Sequence, residues 1–158
     1  MTLSLDVSIT STGYVVFNRD KTIEIYGCIK TDNKLTIYER LLFIESELEN
    51  ILNNLPITNV VIEAPAYGAR GAMSYNLFGI HFSVVRLMFK HGLPYKLMNI
   101  ASVKKFATDN GRASKVEMLE ALPTAVRDSF TSCGFKKSTG LYDLTDAYFI
   151  GLKHLNEN

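Results

Sequence analysis

The chain has little of what marks secreted, zinc-binding or membrane proteins. Its 158 residues include two cysteines, three histidines and no tryptophan. Cys28 and Cys133 lack metal-ligand spacing and nearby histidines, so we expect free thiols in a reducing compartment. No apolar run approaches the ~20 residues that span a bilayer, and the start MTLSLD lacks the basic and apolar segments of a secretory signal. We therefore expect a soluble, unexported, cytoplasmic protein without a membrane partner.

Linkers and repeats are also missing. No Gly/Ser-rich or Pro-rich stretch divides the chain, and it contains neither an internal repeat nor a low-complexity tract. Hydrophobic residues make up 47% of the sequence, which is enough for a substantial core. These features predict a single globular domain over residues 1–158.

Net charge is small, but the charges are unevenly distributed. The formal net charge is +1, yet residues 64–142 carry 11 Lys and Arg against 4 Asp and Glu, and the remainder carries 6 against 12. A basic region of this kind suggests a surface for a polyanion. The alternative is an ordinary solvated face rich in lysine.

Hydrophobic periodicity predicts alternating strands and helices. Period-2 patterns and short apolar runs predict five strands: Thr2–Ser8, Gly13–Asn18, Thr22–Lys30, Thr58–Ala64 and Tyr95–Ile100. Helical spacing predicts helices over Lys34–Leu55 and Ala72–Lys90, a short helix led by Ser102, another from Ser114, and a closing helix over Tyr142–Leu155. An antiparallel meander followed by crossovers predicts an α/β fold, with a five-stranded mixed sheet flanked by helices.

The Ala72–Lys90 helix is apolar on nearly every side. Arg86 is its one charged residue before Lys90. A single core contact cannot cover such a helix. Either it is sandwiched within the domain, or part of it meets another subunit.

Four acids occupy positions that this fold would bring together. Asp6 and Glu63 end two apolar strands, and Asp143 and Asp146 open the closing helix one turn apart. Sites in open α/β sheets form outside the carboxyl ends of the strands. Each acid also has an ordinary explanation, since an Asp can cap a helix or form a turn and a Glu can be a strand-end charge in water. Two acids on one helix face are harder to explain as caps, because they repel each other.

A cluster of four carboxylates needs a counterion. Two unit charges about 4 Å apart repel by roughly 4 kcal/mol at an effective dielectric constant of 20. Oxygen ligands without His or Cys favour Mg²⁺, with Mn²⁺ as a substitute, over zinc. Four carboxylates suit two ions, one to activate water and the other to stabilise the leaving 3′ oxygen of a phosphodiester.

The order of the elements resembles the ribonuclease H-like fold, and the motifs within it resemble the RuvC-type Holliday junction resolvases in a small, phage-like form. The motifs are LSLDVSITSTGYVVF, VVIEAP, NLFGIHFSVVRLMF, VKKFATDNGRASKVEML and DLTDAYFIGLKH, in that order along nearly the whole chain. The fourth contains two lysines eleven residues apart, as in the family. The aromatic residue that follows the glutamate in the family is displaced here, because Ala66 takes its expected place and Tyr67 follows one position later.

The resemblance implies a magnesium-dependent endonuclease that cuts four-way DNA junctions. It implies that Asp6, Glu63, Asp143 and Asp146 bind metal, and that Lys104 and Lys115 lie close to the scissile phosphate. The candidate DNA-binding residues are Tyr67, Arg70, Lys104, Lys105, Arg112 and Lys115. We expect a homodimer that forms through the Ala72–Lys90 helix. If the chain is phage-encoded, we expect it in the host cytoplasm.

Three other functions stay open at this level. A nuclease of the same fold could prefer flaps or forks. An ATP-binding protein of the actin and sugar-kinase type shares the sheet, and DVSITSTG resembles its first phosphate loop, but no second Gly-rich phosphate block is visible. A non-catalytic DNA-binding protein is disfavoured by the presence of all four acids.

Overall fold

The computed structural model describes residues 1–65 and 72–157. A five-stranded sheet forms its centre, with strand order β3-β2-β1-β4-β5. The strands are β1 (Thr2–Asp6), β2 (Ser11–Phe17), β3 (Ile23–Lys30), β4 (Asn59–Glu63) and β5 (Tyr95–Met98). β1, β2 and β3 pair antiparallel, whereas β4 runs parallel to both β1 and β5. The mixed sheet predicted from the sequence is confirmed.

Helices cover both faces of the sheet. They are α1 (Ile37–Asn54), α2 (Ala72–Lys90), α3 (Ile100–Thr108), α4 (Lys115–Glu120), α5 (Thr124–Ser132) and α6 (Leu141–Glu157), with a short 3-10 helix at Lys137–Thr139. Side-chain caps define two of the starts. The Thr36 and Ser114 hydroxyls each accept a hydrogen bond from the backbone N–H three residues later, and a glutamate there closes the capping box.

The prediction that Ser102 leads the third helix was wrong. Asn99 is the N-cap, because its side-chain oxygen accepts hydrogen bonds from the backbone N–H groups of Ala101 and Ser102. The Ser102 hydroxyl instead donates to the Asn99 carbonyl from within the first turn. The last predicted strand is correspondingly shorter and ends at Met98.

Two hydrophobic cores lie on opposite faces of the sheet. On one face, Ile44 of α1 and Val84 of α2 pack with Leu3 and Leu5 of β1. On the other face, α6 lies across the sheet and buries residues such as Leu144. Period-2 alternation explains the division, since Ser4 faces α6 and donates a 2.6 Å hydrogen bond to the Ala147 carbonyl.

The apolar stripe of α1 is only partly buried. Ile44 and Leu48 are fully buried, but Tyr38 and Leu42 are each 65% exposed. Phe82 of the neighbouring α2 is 72% exposed. The domain therefore presents an apolar surface along α1 and α2. Cys28 and Cys133 are free, and the described helices include none long and apolar enough to cross a membrane.

Candidate active site

Two of the acids lie side by side at the carboxyl ends of adjacent strands. The parallel register of β1 and β4 pairs Leu5 with Ile62, so Asp6 and Glu63 follow at the same edge of the sheet. The two carboxyl groups lie close enough to interact, and both line the same cavity. The crossover through α1 explains this proximity, because it returns the chain parallel to β1 and directly beside it.

The other two acids reach this edge because α6 packs tightly against β2. Gly13 pairs with Asp6 across β1 and β2. A Cβ atom on Gly13 would lie 2.4 Å from the Asp143 carbonyl oxygen. Only the absence of a side chain at position 13 allows the first turn of α6 to come so close. Asp146, one turn further along α6, is only 8% exposed.

All four acids line one cavity of about 280 Å³. Lys104 of α3 and Lys115 of α4 line the same cavity. The structure thus brings together the six residues that sequence reasoning selected as catalytic. Five elements supply the acids and lysines: the ends of β1 and β4, the neighbouring helices α3 and α4, and the start of α6.

Burial and the nearby negative charges shift Asp6 and Asp146 toward the protonated form. Desolvation, a side-chain hydrogen bond with Glu63 and the negative charges nearby raise the pKa of Asp6 well above its ordinary value. Desolvation is also the main cause for Asp146, whose pKa rises to about 6, with the Glu63 charge adding to it. Lys115 and Lys104 oppose this rise in the pKa of Asp146. The site therefore carries an unfavourable concentration of negative charge that the two lysines only partly offset.

Ser11 holds the fourth carboxylate. Its hydroxyl donates a 2.6 Å hydrogen bond to Oδ2 of Asp143. The preceding loop is itself fixed, because the Thr12 hydroxyl donates to the Ser8 carbonyl and accepts from the Ser8 backbone N–H. Sequence reasoning did not select Ser11, since nothing distinguishes it from the other small polar residues of SITST.

The donor set fits a hard divalent cation. The four candidate ligands are all carboxylates, so they supply only oxygen atoms and no histidine nitrogen or cysteine sulfur. Mg²⁺ and Mn²⁺ prefer such oxygen ligands. Within residues 1–65 and 72–157, no three Asp, Glu, His or Cys side chains are grouped closely enough to hold an ion as they stand. The chemistry of the donors therefore fits the cation, while the side chains are more loosely gathered than in a completed coordination shell.

The remaining predicted DNA-binding residues lie elsewhere. Lys105 and Arg112 are exposed and do not line the cavity of the acids. Tyr67 and Arg70 fall in residues 66–71, outside the part of the chain that the structure describes. Lys115 lies with its Nζ 5.8 Å from the centre of the Tyr142 ring, a cation–π contact at the mouth of the site.

The fold and the gathered acids define a ribonuclease H-like domain with a carboxylate site at its strand ends. Solved structures share this fold. The RuvC of Thermus thermophilus in complex with a Holliday junction substrate aligns with a TM-score of 0.75 at 20% identity, covering 97% of this chain and 91% of that one. The fowlpox virus Holliday junction resolvase aligns with a TM-score of 0.60 at 14% identity, covering 99% of both chains.

Sequence relatives point to the same family. The crossover junction endodeoxyribonuclease RuvC of Ehrlichia canis (strain Jake) is 29% identical over 156 residues, 96% of this chain and 94% of the relative. That of Rickettsia conorii is 28% identical over 123 residues, 76% of this chain and 78% of the relative. No family model matches the chain. The resemblance to RuvC-type Holliday junction resolvases predicted from the motifs is confirmed by these relatives.

Proposed function

We propose that this protein is an endonuclease that resolves four-way DNA junctions by metal-dependent hydrolysis of phosphodiesters, with paired nicks. One observation carries the proposal: four acids and two lysines from separate elements line a single cavity at the strand ends. The curated relatives, named as crossover junction endodeoxyribonucleases, support it. The whole chain, residues 1–158, acts as one nuclease domain.

The acids are the cation ligands of this proposal. Asp6, Glu63, Asp143 and Asp146 would hold Mg²⁺, with Mn²⁺ as a substitute and two ions per site. The cation supplies activation of water and neutralisation of charge on the phosphodiester. The acids position the cation and lose their mutual repulsion when it binds, which relieves the cost of burying Asp146.

The lysines bind the substrate. Lys104 is half-buried beside the acids and Lys115 is exposed at the rim. An ammonium group at either position can hold a phosphate oxygen or stabilise the negative charge that grows during hydrolysis. Tyr67 and Arg70 are proposed to stack on bases and to bind the backbone, and Lys105 and Arg112 to add phosphate contacts.

The protein is proposed to act as a homodimer through α2. A cavity of about 400 Å³ between α1 and α2 is lined by apolar side chains such as Leu42 and Phe82, which are largely exposed. At its edge, Arg86 forms a 2.7 Å ion pair with Glu45. A two-fold dimer would hold two active sites at a fixed separation, which paired nicks require.

Asp146→Asn tests the role of the acids. We expect this variant to bind a four-way junction and to lose cutting in Mg²⁺, because the carbonyl oxygen of an amide carries no charge for the cation. The matched control is Asp109→Asn, since Asp109 is exposed and lies outside the cavity. Cutting by Asp146→Asn at the rate of the unsubstituted chain would contradict the role of Asp146.

A panel of substrates tests the specificity. Four-way junctions, flaps, forks and linear duplex are compared at equal concentration in Mg²⁺. We expect paired, symmetric nicks in the four-way junction and little cutting of duplex. Faster cutting of flaps or forks would assign the chain to a nuclease of the same fold with another preference.

A further inference from the structure

A second cavity, of about 360 Å³, adjoins the cavity of the acids. Its described lining includes Lys30 at the end of β3 and Lys137 in the 3-10 helix before α6. Lys115 and Asp143 line both cavities, so the two are neighbours. The metal ligands and phosphate contacts proposed above include neither Lys30 nor Lys137.

The charge of the second cavity is opposite to that of the first. Three lysines line it against one carboxylate, that of Asp143. One oxygen of that carboxylate is already engaged by the Ser11 hydroxyl. The first cavity has four carboxylates against two lysines. An anion that reaches the acids is therefore attracted most strongly toward the side of Lys115, Lys30 and Lys137.

The lysines are held at this place by the packing of the loop before α6. The Lys30 Nζ donates a 2.8 Å hydrogen bond to the Thr139 carbonyl, which leaves two of its three N–H donors for another acceptor. Gly140 lies against β3 with a φ of 105°, and a Cβ atom there would come within 2.5 Å of the Cys28 sulfur. This close contact keeps Lys137 beside the end of β3.

We propose that the second cavity binds the sugar–phosphate backbone of the strand being cut, next to the scissile phosphate. The strand passes from the acids over Lys115 to Lys30 and Lys137. Its path on this side does not depend on Lys105 and Arg112, which lie outside both cavities. This inference rests on the proposed function, since it gives the path of the same DNA substrate.

The salt dependence of junction binding tests the path. Binding of a fluorescent four-way junction is measured without divalent cations, so that no cutting occurs, over a series of salt concentrations. Each lysine that contacts a phosphate adds about 0.7–0.9 to the slope of log affinity against log salt. Lys30→Gln and Lys137→Gln are made singly and together, because glutamine at position 30 removes the charge and keeps an N–H donor for the Thr139 carbonyl.

Lys21→Gln is the matched control. Lys21 also donates one hydrogen bond to an oxygen, that of the Asn156 side chain at 2.7 Å, but it lies in the turn between β2 and β3 at the far end of the sheet. We expect the double variant to lose about 1.4–1.8 from the slope, so that its affinity should fall about tenfold less between 50 and 200 mM salt. The control should keep the slope of the unsubstituted chain.

The outcomes separate this inference from the proposed function. If the double variant keeps the full slope, the inferred path is wrong while the nuclease assignment stands, whatever Lys105→Gln and Arg112→Gln do to the slope. If the unsubstituted chain neither binds nor cuts the junction, the proposed function fails and the inference fails with it. A reduced slope in the Lys30 and Lys137 variants, with the full slope kept in Lys21→Gln, supports the path.

Discussion

At the scale of the residue, Asp146 carries a buried charge whose free-energy cost a bound cation would reduce. Its carboxylate is nearly buried, close to Glu63, and its pKa is raised from 3.8 to about 6. The folded chain binds this proton more tightly than the unfolded chain does. Stability without metal therefore falls as the pH rises from about 4 to about 6 and stays reduced above that range.

Asp146→Asn should consequently stabilise the metal-free protein at pH 8. A pKa rise of about two units corresponds to on the order of 3 kcal/mol, all of it present at pH 8 and absent below pH ~3.8. Denaturant unfolding in a chelator at pH 8 and at pH 3.5 measures the difference. Asp109→Asn is the control, because Asp109 is exposed and lies outside the cavity of the acids. If Asp146→Asn were less stable than the unsubstituted chain at pH 8, the buried charge of Asp146 would not be destabilising.

Ser11 is the residue that positions Asp143. Its hydroxyl donates a hydrogen bond to Oδ2 of a side chain that lines the cavity of the acids. Loss of an outer partner of a metal ligand typically weakens metal affinity by roughly 10–100-fold. We expect Ser11→Ala to weaken Mn²⁺ binding within this range, as measured by electron paramagnetic resonance, and Ser11→Thr to restore much of it.

Ser138→Ala is the control for Ser11, since Ser138 also lines the adjoining cavity and sits in an exposed position. Equal Mn²⁺ affinity in Ser11→Ala and the unsubstituted chain would show that Ser11 has only a structural role.

The sequence could predict Asp146 as a site residue, because two acids on one apolar helix are unusual. It could not predict Ser11, because a serine in a polar loop acquires its partner only from the docking of α6, 132 residues away.

At the scale of the element, the contact between β2 and α6 assembles the site. Gly13→Ala places a methyl group 2.4 Å from a backbone oxygen, which cannot move as a side chain can. We expect a loss of about 1–3 kcal/mol in unfolding free energy, as for other overpacked sites, together with weaker Mn²⁺ binding. Thermal unfolding and the same resonance titration measure the two effects.

Gly79→Ala is the comparison for Gly13→Ala. A Cβ atom on Gly79 would meet only Leu41 Cδ1 at 3.9 Å, an ordinary contact, and alanine is the better helix former. The unfolding free energy should therefore stay the same or rise. If Gly13→Ala were tolerated as well as Gly79→Ala, the close approach of α6 would not be needed to place Asp143.

Periodicity predicted some elements well and others poorly. The Ala72–Lys90 helix has the bounds that the sequence suggested, because the Pro- and Gly-containing sequence PAYGARG precedes it and Gly92 and Pro94 follow it. The third helix began elsewhere than predicted, because Asn and Ser are both good caps and the sequence does not show which one takes the role. The separate α5 was not distinguished, since its short amphipathic pattern merges with that of its neighbours.

At the scale of the whole molecule, the apolar surface of α1 and α2 is the interface of the proposed dimer. Phe82→Ser removes a large apolar side chain that is 72% exposed, so the isolated domain should lose little stability. We expect the proposed dimer to dissociate, as seen by sedimentation velocity, and paired nicking to become single nicking. Phe106→Ser on α3, a position 41% exposed, is the control and should leave assembly unchanged.

An unsubstituted chain that sediments as a monomer at the concentrations used for cutting would contradict the dimer.

The strand order and the meeting of the four acids could be predicted from the rules that govern strand connections and from the position of sites at the carboxyl ends of parallel strands. The basic cavity did not follow from them. Lys30 and Lys137 are ordinary surface lysines in the sequence, and only the fold places them on either side of one groove.

The most direct test of the account is to soak a crystal of the protein in Mn²⁺ and to measure anomalous scattering. We expect one or two anomalous peaks between β1 and α6, with carboxylate oxygens of Asp6, Glu63, Asp143 and Asp146 at about 2.0–2.2 Å, the range for such hard cations. Full occupancy of Mn²⁺ elsewhere on the molecule, with none among these four acids, would contradict the proposed metal site.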